Sequence, residues 1–182
     1  MVISLDDQRR LIELARGALE ARVCRTGVPD IDSTLAPDVH SGAFVSIFHN
    51  GELRGCLGRL NSPLPIARLV ADLAQAVADS DPRFDRVMPQ ELAGIDVEIS
   101  VLTHEREIQS VDEIEVGRHG LIIEQGMSRG LLLPQVPEEH GWDREAFLNH
   151  TCLKAGLAAD AWRRGARIFI FEAQIFGERS RG

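Results

Sequence analysis

The chain has 182 residues, a formal net charge of -8 and a composition that is 44% hydrophobic and 26% charged. That balance is ordinary for a globular protein and excludes the low-hydrophobicity composition of disordered chains. Its basic side chains are all Arg except Lys154, on an acidic background, which speaks against a general nucleic-acid surface because phosphate neutralisation needs clustered positive charge. The densest basic cluster, Arg163, Arg164 and Arg167, reads as a solvated helix end and loop.

The length fits a single domain over residues 1–182. Cys24, Cys56 and Cys152 are odd in number and widely separated, without the paired spacing of a disulfide framework or a zinc site. Reduced thiols in a cytoplasmic protein are the expectation. The start, Met1 to Asp7, lacks the basic and apolar regions of a secretory signal, and no later stretch has the length of a bilayer span.

Ser4 and Asp7 form a variant capping box, and Leu11, Ala15, Ala18, Leu19 and Val23 recur at helical spacing, which predicts an amphipathic helix ending before Gly27. Residues 26–40 lack periodicity and read as a loop. Residues 43–49 alternate, Asn50-Gly51 is a strong two-residue hairpin signal, and residues 52–57 return as a partner strand. With Asn50 and Gly51 as the turn, regular pairing sets Ile47 opposite Arg54 and Val45 opposite Cys56. Arg54 and Cys56 then share a face, and Phe44, Phe48, Leu53 and Leu57 lie on the other.

Ser62-Pro63 supplies an N-cap and a first-turn proline for a second helix, whose buried stripe is Ile66, Leu69, Val70, Leu73 and Val77. After a turn led by Pro89, residues 95–102 alternate as a strand whose polar face carries Asp96, Glu98 and Ser100. Apolar runs at 121–124 and 130–133 predict a second hairpin, closed by Pro134 and Pro137. Asp143 is placed to cap a helix carrying Phe147, Leu148, Thr151, Cys152 and Ala155, with Gly156 as its terminator. A short helix at 158–162 and one final apolar strand over 168–176 follow. This order lacks the strict strand–helix alternation of doubly wound folds, so the expected class is α+β, an antiparallel or mixed sheet flanked by helices.

Chemistry concentrates at Arg54-Gly55-Cys56-Leu57-Gly58. The segment joins a thiol, a guanidinium and two residues that let the backbone approach another group closely. A positive neighbour such as Arg54 or Arg59 would favour the thiolate at Cys56. The spacing is equally compatible with a packed cysteine between glycines that serve strand curvature or a bulge. Cys152 sits on an apolar helical stripe and Cys24 at a helix end, positions that suit bystanders.

Candidate bases are His40, His49, His104, His119, His140 and His150, none with metal-ligand spacing, so no metal site is expected. His119 lies between Gly117 and Gly120 ahead of a strand, where it serves either as a catalytic group or as a hydrogen-bonded loop histidine. Glu98 on the polar strand face is a second acid–base candidate. The glycines match no phosphate loop or dinucleotide fingerprint, so no nucleotide cofactor is expected.

The hexapeptide Leu53-Arg54-Gly55-Cys56-Leu57-Gly58 resembles the hallmark of the AMMECR family, also called protein A of the AmmeMemoRadiSam system. The similarity continues in order through Asp81-Pro82-Arg83-Phe84, Glu98-Ile99-Ser100-Val101-Leu102, Gly117-Arg118-His119-Gly120-Leu121, Leu131-Leu132-Leu133-Pro134-Gln135-Val136 and Lys154-Ala155-Gly156-Leu157. Leu57 stands where the family often has Ile. The resemblance implies an α+β fold in two sub-lobes with a cleft between them. It also implies partnership with a Memo-type protein and a radical S-adenosylmethionine enzyme. This chain lacks the three-cysteine motif of such an enzyme and would not be the radical enzyme itself.

Two expectations follow. In the first, the protein is an enzyme or enzyme component in which Cys56, His119 and Glu98 do the chemistry, while Arg54, Gly55, Gly58 and Gln135 bind substrate. In the second, it is a non-catalytic partner or substrate-presenting module with the hallmark strand as its surface.

Overall fold

The computed structural model describes residues 3–37, 39 and 41–179. They form two compact units, one running up to Leu102 and resuming at Gln174, the other comprising Thr103–Ala173.

The first unit opens with α1 (Leu5–Cys24). Ser4 caps it as the sequence predicts, its Oγ accepting the Asp7 N–H at 3.1 Å. Then come β1 (Ala43–His49), β2 (Glu52–Arg59), α2 (Ile66–Ala76), a 3-10 turn at Pro89–Gly94 and β3 (Ile95–Leu102). The helix α2 begins later than expected. Pro65 is its N-cap, while Ser62 Oγ accepts the Leu64 N–H and closes the turn before it. The sheet has the order β2-β1-β3-β8, with β1 antiparallel to both β2 and β3 and β8 (Ala173–Gly177) supplied by the last part of the chain.

Period-two alternation places Ala43, Val45 and Ile47 of β1 and Ile95, Val97, Ile99 and Val101 of β3 in the core, against Leu11, Ala15 and Leu19 of α1 and Leu69, Val70 and Leu73 of α2. Full burial of each large aliphatic side chain contributes about 1.5–3 kcal/mol, so this face fixes the register of the sheet. The other face carries Phe44, Ser46, Phe48, Asp96, Glu98 and Ser100, all half-buried.

The second unit is the antiparallel sheet β4-β7-β5-β6, made of β4 (Arg106–Glu107), β5 (Gly120–Gln125), β6 (Ser128–Leu132) and β7 (Arg167–Phe171). Its core joins Leu121, Ile123 and Ile170 to Phe147, Leu148 and Cys152 of α4 (Arg144–Lys154), which Asp143 caps through the Ala146 N–H at 2.8 Å. A short helix, α3 (Gln135–His140), contains Pro137, which the sequence reading assigns only to the closure of the hairpin. The single apolar strand expected over 168–176 is two strands. It breaks at Glu172, with β7 in the second sheet and β8 in the first. Apolar residues on both sides of Glu172 conceal such a break, because both pieces bury side chains.

Candidate functional site

The hairpin turn is as expected, with Asn50 and Gly51 both at positive φ, 53° and 90°. The strand after it is not. The register slips between Ile47 and Phe48, so that Phe48 pairs with Leu53, Ile47 with Gly55, Ser46 with Cys56 and Val45 with Leu57. Arg54 is the extra residue of a β-bulge. One inserted residue reverses every later side chain, which corrects the expected pairing of Arg54 with Ile47 and of Cys56 with Val45. Cys56 therefore projects on the half-buried face beside Ser46, and Gly55 takes the core position.

Both glycines of the hallmark are accounted for by packing. A methyl at Gly55 would lie 3.0 Å from Val77 Cγ2 and 3.3 Å from Ile47 Cγ1, so the absence of a side chain lets β2 close on the end of α2. Gly58 is the cross-strand partner of Phe44, whose ring fills the space that a side chain would need.

β2 is an edge strand, and its outward side is strapped by residues 81–91. The bulge aims Arg54 at this segment. Its Nε donates to Glu91 Oε1 at 2.8 Å, its Nη1 to the Asp85 carbonyl at 2.9 Å and its Nη2 to the Arg86 carbonyl at 3.3 Å. The guanidinium thus holds the strap. Two residues on, the buried Asp81 carboxylate accepts the Cys56 N–H at 2.9 Å, and Arg83 Nη2 donates to the Cys56 carbonyl at 3.4 Å. Asp81 and Arg83 occupy the outward backbone groups that a further strand would otherwise take.

The pair is itself a fork, with Arg83 Nε on Asp81 Oδ1 at 3.0 Å and Nη2 on Oδ2 at 2.7 Å. The Arg83 guanidinium, with the Cys56 and Arg83 N–H groups, holds the Asp81 carboxyl well below the usual carboxylate range against the opposing effect of its burial. Arg54 likewise lowers Glu91, assisted by the Met88 N–H.

Because the Cys56 N–H and C=O point outward, Cys56 and Ser46 form a non-hydrogen-bonded pair, the kind in which side chains approach most closely. Ser46 Oγ donates to Cys56 Sγ at 3.2 Å. Across the next strand pair Ser46 faces Glu98, so thiol, hydroxyl and carboxylate form one cross-strand row, Cys56–Ser46–Glu98. Ser46 escapes a reading by motif because its role depends on the bulge, and the contacts of Asp81 and Arg83 with Cys56 escape because they join residues 25 or more apart in sequence.

The remaining candidates are placed differently. His119, in the second unit, is buried. Its Nδ1 accepts the Glu115 N–H at 3.0 Å, which leaves Nε2 as the protonated nitrogen, 3.7 Å from Glu172 Oε1. Arg118 also donates to Glu172, at 3.1 Å. Gln135 is the half-buried first residue of α3. His40 lies outside the described residues. Burial pushes the Cys152 thiol up, whereas Cys24 is exposed. Among the described residues no group of three or more His, Cys, Asp or Glu is placed to hold a metal ion, and no helix is long and apolar enough to cross a membrane.

These features define an α+β protein whose sequence hallmark is a strapped edge strand presenting a hydrogen-bonded thiol. The AMMECR1 family model matches residues 12–176, and the chain belongs to that family. A protein of Methanosarcina mazei is 39% identical over 181 residues, spanning 94% of this chain and 91% of its own length. A Methanothermobacter thermautotrophicus protein is 42% identical over 186 residues, spanning 97% of this chain and 96% of its own. The crystal structure of the uncharacterized protein PH0010 from Pyrococcus horikoshii superposes with a TM-score of 0.82 at 36% identity, covering 97% of this chain and 94% of that one.

Proposed function

We propose that this AMMECR1-family member is a cytoplasmic thiol-dependent enzyme, or enzyme component, that acts with a Memo-type protein and a radical S-adenosylmethionine enzyme. The observation that carries the reading is the Ser46 Oγ–Cys56 Sγ hydrogen bond of 3.2 Å, on a strand whose backbone is pinned by Asp81 and Arg83. A hydroxyl bonded to the sulfur, on a strand whose backbone is fixed, holds the thiol in one position from which it can act as a nucleophile. Cys56 is then the nucleophile or group acceptor. Ser46 holds its sulfur, and Glu98, the next group in the row, takes up the proton. Arg54 is a positioning residue in this scheme, since its guanidinium grips the strap. His119 is given no step, because its Nδ1 serves its own turn.

The experiment is replacement of Cys56 by Ser at the native locus, with the fold checked by circular dichroism. Loss of cellular function in a folded variant is expected. A folded Cys56→Ser protein with full function would refute the reading.

A second reading is favoured by Leu53 and Leu60, each 42% exposed on or just beyond the edge strand. Exposed leucines at the two ends of the edge strand suit a non-catalytic module that docks the Memo-type protein or the radical enzyme through side chains. Co-purification separates the two. Leu53→Glu abolishing association while Cys56→Ser leaves function intact would favour docking.

A further inference from the structure

The geometry points to a second ligand site in the first unit, an open groove for a small organic anion with an apolar or aromatic body and a phosphate or carboxylate head. The groove encloses about 470 Å³ between the end of α1, the end of α2 and residues 86–89. That volume lies within the range of small-molecule sites. Val23, Ala78 and Val87 supply an apolar floor, and Ala78 and Val87 are buried.

Three guanidiniums, Arg22, Arg25 and Arg86, stand around this floor on a chain that is acidic overall. Arg22 is matched by Asp79 at 2.7 Å. Arg25 and Arg86 have no carboxylate partner among the described residues, so the groove carries two unmatched positive charges. The carbonyl end of α1 offsets only about half of one charge, and Arg25 and Thr26 donate their N–H groups to the Ala21 carbonyl there. The balance favours an anion.

The wall is built in advance of any ligand. The Val87 N–H donates to the Ala78 carbonyl at 2.7 Å, Arg54 grips the Asp85 and Arg86 carbonyls, and the Met88 N–H is held by Glu91 at 2.7 Å. A fixed wall spares the ligand the entropy of ordering it. The same strap therefore supports the hallmark strand and one side of the groove. The inference stands without the thiol chemistry, since none of its residues belongs to the Cys56–Ser46–Glu98 row.

The test is isothermal titration of the full chain at low ionic strength with phenyl phosphate and, separately, inorganic phosphate. Saturable binding of phenyl phosphate is expected, with inorganic phosphate weaker because it lacks a body to cover the floor. The double variant Arg25→Gln/Arg86→Gln should weaken phenyl phosphate by about tenfold or more. Both residues are exposed, and circular dichroism verifies that the variant folds. The inference is overturned if phenyl phosphate shows no saturable binding, if the folded double variant binds it as tightly as the parent, or if inorganic phosphate binds equally well.

Discussion

Asp81 accepts the backbone N–H of Cys56 at 2.9 Å while its own carboxylate is gripped by Arg83, so the thiol is carried on a strand fixed from outside the sheet. Replacing Asp81 with Asn removes the charge from a buried site with several donors. A loss of about 2–3 kcal/mol in urea unfolding is expected, the scale of hydrogen bonds to a charged group.

The same carboxylate sets an acid dependence. Asp81 and Glu91 both have folded values lowered by arginine partners, so their stabilisation is complete above their unfolded values, about 3.9 and 4.3, and is lost as pH falls through the depressed folded ones. Unfolding free energy should therefore decline below about pH 4, and the decline should be shallower in Asp81→Asn. An unchanged acid limb in that variant would show that Asp81 is not the linked group.

Arg54 grips Glu91 and two backbone carbonyls of the strap. Arg54→Lys keeps the charge but not the fork, and it should raise amide hydrogen exchange in residues 85–91 while leaving the second unit unchanged. The stability of the first unit should fall by about 1.5–3 kcal/mol. Uniform protection across both proteins would count against a clamp.

Gly58 lies beneath the Phe44 ring, and an added methyl has no room there. Gly58→Ala should cost about 1–3 kcal/mol, and much of that should return when Phe44→Leu is added, a coupling that a double-mutant cycle measures. Independent effects of the two changes would show that the ring does not set the requirement for glycine.

Much of this fold was legible in the sequence because helical and strand periods differ. The Ser4 and Asp143 caps, the Asn50-Gly51 turn and the alternation of β3 each lie in a few adjacent residues. The site was legible only as a neighbourhood. The bulge at Arg54 has no local signal stronger than a glycine, yet it moves Cys56 from Val45 to Ser46. The strap was visible as a motif at Asp81-Pro82-Arg83-Phe84, but its contacts with Cys56 span 25 residues or more, beyond any periodic pattern. The break at Glu172 was hidden because both flanking strands are apolar.

The most direct test of the thiol-dependent reading is the rate of iodoacetamide alkylation of Cys24, Cys56 and Cys152 in the folded protein at neutral pH, with adducts located by mass spectrometry. Cys56, although only partly exposed, should react faster than exposed Cys24 and far faster than buried Cys152, and Ser46→Ala should slow Cys56 alone. A Cys56 slower than Cys24, or indifferent to the loss of the Ser46 hydroxyl, would contradict a role as nucleophile.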